Sequence, residues 1–191
     1  MQKLELREDP MLCSGHAACP GCVDALSVRH VLAAMDEVPA VALEADRAWS
    51  ALTGRGYGLV ERYRCEDARI VIMAMGSMCG TARDAVDAMR ADGLAVGLVK
   101  VRLFRPLPVP ALIAALAGVP EVLVLDRNYS PGHGGVLHQE LRAALYGIPD
   151  APRIHGYLAG VGGVNVSPEK IAEFVRMASA SEALPHSVWV E

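Results

Sequence analysis

Six consecutive apolar residues, Ile70 to Met75, show no alternation, which is the pattern of a strand covered on both faces. Past Gly76 and Gly80 the apolar positions change to helical spacing at Met78, Ala82, Ala85, Val86 and Met89, and Gly93 ends the run. Ser77 and Thr81 are candidate caps, and Asp84 and Asp87 lie in the early turns, where the helix dipole favours acids. A second apolar run, Val96 to Val101, follows at once. The stretch therefore predicts a right-handed β-α-β crossover between parallel strands.

The pattern repeats downstream. Pro106, Pro108 and Pro110 make the chain irregular before a helix that ends near Gly118. A buried strand over Val122 to Leu125 leads through Asp126 and the loop RNYSPGHGG into a helix with Leu137, Leu141, Ala144 and Leu145 on one face. Ile154 to Leu158 reads as another strand, and Ser167 with Pro168 opens the last helix. Upstream, Gly54, Gly56 and Gly58 break the chain before a short edge strand over Leu59 to Tyr63, with a short helix around Trp49. Residues 36–47, DEVPAVALEADR, read as a linker or a poorly anchored helix, and residues 23–35 have helical spacing. These elements predict an α/β fold, a three-layer α/β/α sandwich on a mostly parallel sheet. The organisation is a cysteine-containing N-terminal appendage and linker over 1–46, the main domain over 47–178, and a tail over 179–191.

Composition narrows the reading. Only 5% of the 191 residues are aromatic and 52% are apolar, mostly Ala, Val and Leu, which suits helices packed closely on a sheet. The net charge of −4 gives no footprint for nucleic acid. Leu107 to Val119 is too short and too rich in proline to span a bilayer, and the charged start MQKLELREDP lacks the apolar centre of a signal peptide. A cytoplasmic chain is expected, with its five cysteines as thiols or metal ligands rather than disulfides.

In open parallel sheets ligands gather off the carboxyl ends of the strands, which brings the loops 76–80, 102–108, 126–135 and 160–167 to one edge. The turn GSMCG is neither a dinucleotide fingerprint nor a P-loop, so tight strand-helix packing accounts for its glycines. Arg102 and Arg105 flank Phe104 ahead of the prolines, a rigid platform suited to an anion or to a partner chain, with a solvated or interdomain salt bridge as an equal explanation. Asp126, Arg127, Asn128, His133 and His138 are acid-base types, but the histidines lack one-turn spacing and no nucleophile motif accompanies them. No catalytic residue is assigned. Cys19-Pro-Gly-Cys22, with Cys13 and His16 nearby, is half of a four-ligand site.

The stretch YGLVERYRCEDARIVIMAMGSMCGTARDAVDAMRADGLAVGLVKVRLFRPLP, followed by VLVLDRNYSPGHGG and YLAGVGGVNVSPEKI, resembles the transketolase carboxyl-terminal-type domain of the alpha subunit of pyruvate and other 2-oxoacid:ferredoxin oxidoreductases, over about residues 47–176. The resemblance implies a mixed five-stranded sheet, with Gly58 to Tyr63 as the odd edge strand. The opening GHAACPGCVDALSVRHVL is similar to the start of the same enzymes' beta subunit, where such a stretch supplies two of four cysteines to a 4Fe-4S cluster beside thiamine diphosphate. Cys19 and Cys22 match those two. The family's next ligand falls where this chain has Asp46, Arg47 and Ala48. Its elements for the aminopyrimidine and for the Mg2+-bound pyrophosphate have no counterpart here.

The resemblance thus implies a component of a 2-oxoacid (pyruvate in the first instance):ferredoxin oxidoreductase that makes subunit contacts. Partner subunits would hold thiamine diphosphate, Mg2+, 4Fe-4S clusters and coenzyme A, would reduce ferredoxin, and would oxidise a 2-oxoacid that the sequence does not identify. Two readings from other classes remain open: a free-standing small-molecule or nucleotide binder using the glycine loops, and a small iron-sulfur or zinc protein built on Cys13, Cys19 and Cys22. Two C-x-x-C turns in a homodimer would complete a four-thiolate site.

Overall fold

The computed structural model describes residues 37–190, so Cys13, His16, Cys19, Cys22 and the helix expected over 23–35 lie outside the described residues. The described chain divides into two compact units, one comprising residues up to Leu59 with Leu103–Pro106, the other Val60–Arg102 with the chain from Leu107 onward.

In the first unit the helical reading of residues 36–47 holds over the linker, because α1 spans Val38–Thr53. Pro39 falls in the first turn, where its missing N–H has no intrahelical partner to lose, so it starts the helix instead of breaking it. Gly54, at φ 71°, ends the helix by donating its N–H to Ser50 O at 2.8 Å. The Asp46 carboxylate accepts the N–H groups of Tyr57 (2.7 Å) and Gly58 (3.0 Å), folding the glycine run back on α1 and holding its carboxyl below the usual range.

The second unit is built on β1 (Val60–Tyr63), β2 (Ile70–Met75), β3 (Val96–Val101), β4 (Glu121–Asp126), the small hairpin β5 (Tyr129–Ser130) and β6 (Gly134–Gly135), β7 (Arg153–Leu158) and β8 (Val188–Trp189). Its helices are α2 (Met78–Ala91), α3 (Val109–Leu116), α4 (Val136–Leu145) and α5 (Pro168–Ala180). The main sheet runs β1-β3-β2-β4-β7-β8, parallel except for β1, which pairs antiparallel with β3. All five expected strands are present. The segment expected as a tail adds a sixth, because Val188 and Trp189 pair with Tyr157 and Leu158.

Side-chain alternation along the strands separates the two faces. Ile70, Ile72, Ala74, Leu123, Leu125 and Tyr157 pack with α2 and α5 in one buried cluster. Val71, Met73, Val122 and Val124 alternate to the other face, which α3 and α4 cover through Leu112, Leu116, Leu137 and Leu141. Right-handed crossovers require this layering: β3 lies to one side of β2 while β4 and β7 lie to the other, so α2 takes one face and α3 and α4 the opposite one. The three α/β/α layers of the expected sandwich result. Cys65 and Cys79 are buried, and the Cys65 thiol donates to Leu98 O at 3.3 Å. Among the described residues no helix is long and apolar enough to cross a membrane.

Candidate functional site at the carboxyl edge of the sheet

The strands β2, β4 and β7 end at Met75, Asp126 and Leu158, and one side chain joins the loops that follow them. Arg127 donates from Nε and Nη2 to Gly160 O, both at 3.3 Å, and its Nη1 lies 3.5 Å from Ser77 Oγ. Ser77 precedes α2 without capping it through its side chain; its hydroxyl faces this guanidinium instead. The Arg127 guanidinium is thus a tie between loops.

Asp126 is also committed internally. It is buried, and its two carboxylate oxygens accept the N–H groups of Leu137 (3.2 Å) and His138 (2.9 Å), the orphan donors at the start of α4. Burial raises the carboxyl pKa, and the two amide hydrogen bonds act against that rise. Gly135, which precedes α4, must be glycine, since a Cβ there would stand 2.4 Å from Asp126 Oδ2.

His138 is fully buried with its ring laid against Gly156 of β7, where a Cβ would stand 2.3 Å from the ring. Its Nδ1 lies 2.9 Å from Ser187 Oγ, and that oxygen accepts the Gly135 N–H at 3.0 Å. Burial, with the positive Arg142 next in weight, lowers the imidazole pKa from 6.5 to about 4, so the ring is neutral near pH 7. Arg142 and Gln139 both donate to Pro185 O. The C-terminal segment is therefore fastened to α4 by one hydroxyl and one carbonyl. Nothing in the spacing around Ser187 marked that role, and Asp126 and His138, which sequence spacing did not join as an acid-base set, meet through a backbone amide.

The platform residues divide between the two units. Arg102 belongs to the sheet unit, where Glu61 of β1 accepts from Lys100 (2.6 Å) and from Arg102 (2.5 Å). Burial pushes the Glu61 carboxyl up, and the hydrogen bonds and charges of Arg102 and Lys100 outweigh it, leaving it below its ordinary value. Phe104 and Arg105 belong to the other unit: the Arg105 guanidinium stacks 4.0 Å from the Phe104 ring centroid, and its Nη1 donates to Phe104 O at 3.2 Å.

Among the described residues no group of three or more His, Cys, Asp or Glu could hold a metal ion. The acid at this edge is already occupied by helix amides. The described donor set does not fit thiamine diphosphate with its Mg2+, nor an iron-sulfur cluster.

Comparison with known proteins agrees with the expected resemblance. The pyruvate synthase subunit PorA of Methanothermobacter thermautotrophicus is 41% identical over 149 residues, covering 78% of this chain and 38% of that protein. The ketoisovalerate oxidoreductase subunit VorA of Pyrococcus abyssi is 37% identical over 170 residues, 86% of this chain and 43% of its own. The chain thus spans about two fifths of these relatives' length. In fold it matches a 2-oxoglutarate:ferredoxin oxidoreductase from Magnetococcus marinus, with a TM-score of 0.53 at 24% identity, over 84% of this chain and 24% of that one. The family model for the pyruvate:ferredoxin oxidoreductase core domain II matches residues 68–171, more than half of the sequence, and the chain belongs to that family.

Proposed function

We propose that this chain is a non-catalytic component of a 2-oxoacid:ferredoxin oxidoreductase, supplying a folded contact domain while partner subunits hold thiamine diphosphate, Mg2+, coenzyme A and the clusters. The observation that carries this reading is the 41% identity to PorA, sustained over 149 residues. The site geometry supports the scaffold role: Asp126, Arg127 and His138 hold a helix, three loops and the C-terminal segment in place, and none is left poised for proton transfer. The assembled enzyme would cleave carbon dioxide from a 2-oxoacid, pass two electrons to ferredoxin and transfer the acyl group to coenzyme A. In this reading Arg102, Phe104 and Arg105 are interface residues, and Cys19 and Cys22 hold no cluster in the monomer because two thiolates leave half the coordination unmet.

Calorimetric titration of the isolated chain with thiamine diphosphate and Mg2+ tests the division of labour. A flat titration is expected, together with no pyruvate oxidation until a thiamine-diphosphate-binding subunit is added. Micromolar binding by the chain alone would overturn the assignment.

A further inference from the structure

The helix α1 carries an apolar face that the described residues leave open. Asp46 and Ser50 lie on the side where the glycine run folds back, and a Cβ on Gly56 would stand 3.4 Å from Asp46 Oδ2 and from Ser50 Oγ. Away from that side, Val41, Ala45, Ala48, Trp49 and Leu52 recur at helical spacing in one stripe. All five are exposed, Val41 to 54%, Trp49 to 51% and Leu52 to 84%. A helix of 16 residues gains little from its own hydrogen bonds, and most helical stability comes from packing such a face.

The chain itself supplies a fitting partner for the stripe. Residues 23–35 lie outside the described residues, stop two residues short of α1, and repeat the same apolar pattern at Ala25, Val28, Val31, Leu32 and Met35. Two residues are enough to join antiparallel helices. Pro39 has no N–H to donate to the carbonyl of Met35, and its ring would crowd that carbonyl, so a helix over 23–35 does not run on into α1 as one rod. The lengths also match, at roughly 20 Å for residues 23–35 and roughly 24 Å for α1.

We infer that the exposed stripe of α1 is the docking face for residues 23–35, which fold back on it as the other arm of a helical hairpin turned at Asp36 and Glu37. In that register Leu32 is level with Val41, Val28 with Ala45 and Ala25 with Ala48. A second copy of the chain offers a similar stripe, but it competes with a segment tethered two residues away, whose effective concentration is in the millimolar range. The hairpin brings the Cys19–Cys22 turn to its open end, level with Ala51 to Gly54. It is independent of the subunit role, because it is completed within the chain before Leu59.

Methyl NMR of the full 191-residue chain tests the hairpin. Nuclear Overhauser contacts should join the Val28 and Leu32 methyls to Val41, Ala45 and the Trp49 indole, and should persist when labelled chain is diluted into unlabelled chain. The Val28→Asp/Leu32→Asp variant should lose them, shift the Trp49 indole, and leave the Ile70 to Met75 signals in place. Amides of residues 28–32 should exchange at least about tenfold faster in that variant than in the parent chain. Absence of the contacts in the parent chain, or contacts seen only between labelled and unlabelled copies, would overturn the proposal.

Discussion

The Asp126 carboxylate accepts the His138 backbone N–H at 2.9 Å, and this one bond explains why two residues with catalytic side chains belong to the scaffold. The acid that ends β4 is seated at the positive end of α4, and the histidine's Nδ1 meets Ser187 Oγ. Replacing Asp126 with Ala leaves two buried N–H groups without an acceptor and should cost about 2–4 kcal/mol. Asp126→Asn, which keeps one acceptor oxygen, should cost less. Urea melts of the two variants check the order.

Gly156 and Gly80 should respond to alanine with opposite signs. At Gly156 the added methyl would meet the His138 ring at 2.3 Å, so the variant should lose roughly 1–3 kcal/mol or more as the ring is pushed aside. Gly80 lies in α2 with nothing within 4 Å of its added Cβ, so the tight strand-helix packing expected to account for it is not found, and alanine there should add up to about 0.5–1 kcal/mol through helix propensity. Equal changes at both sites would mean that the His138–Gly156 contact has been misread.

His138 should give the fold an acid-sensitive term. Its folded pKa is about 4 against 6.5 unfolded, so between those values the unfolded chain binds the extra proton and stability is lost as pH falls. The full effect is roughly 3 kcal/mol. His155, also lowered by burial, acts in the same sense, while Asp126, raised by burial, contributes stability that falls as pH rises above its unfolded value. Comparing the wild-type slope of stability against pH with that of His138→Phe isolates the term: the variant should be flatter between pH 6.5 and 4 even if it is less stable throughout.

Ser187→Ala should release the C-terminal segment from α4. Its hydroxyl serves Gly135 N–H and His138 Nδ1 together, so its loss should cost about 1–2 kcal/mol and speed hydrogen exchange at Gly135. Unchanged exchange at Gly135 would show that β8 pairing alone holds the segment.

What the sequence revealed and what it hid follow from the range of the interactions involved. The β2-α2-β3 unit was readable because Ile70 to Met75 is continuously apolar and Gly76 and Gly93 punctuate a helix whose buried residues keep helical spacing. The helix α1 stayed one of two readings because Pro39 and the acids resemble a linker, and no burial pattern decides between them: the helix has no buried residue. The strand β8 is two residues long and pairs through its backbone, which leaves no side-chain signature. At the candidate site, Asp126, Arg127 and His138 were visible as residue types. Their partners, 11 to 50 residues away in sequence, were not.

Arg105→Ala removes the guanidinium stacked on Phe104. If the pair is an interface anchor, the variant should fold normally and bind its partner subunits about tenfold or more weakly, a loss of roughly 1.4 kcal/mol or more. Normal assembly of the variant, measured by size-exclusion chromatography of the reconstituted complex, would remove the pair from the interface.

In the proposed function this chain works only within a 2-oxoacid:ferredoxin oxidoreductase. Native mass spectrometry of the affinity-tagged chain, isolated anaerobically from the cells that make it, tests this most directly. The expected result is a defined assembly in which the chain accompanies subunits containing thiamine diphosphate and iron-sulfur clusters, with 2-oxoacid-dependent ferredoxin reduction by the same fraction. Recovery of the chain only as a free monomer or homodimer, with that activity in fractions that lack it, would overturn the proposed function.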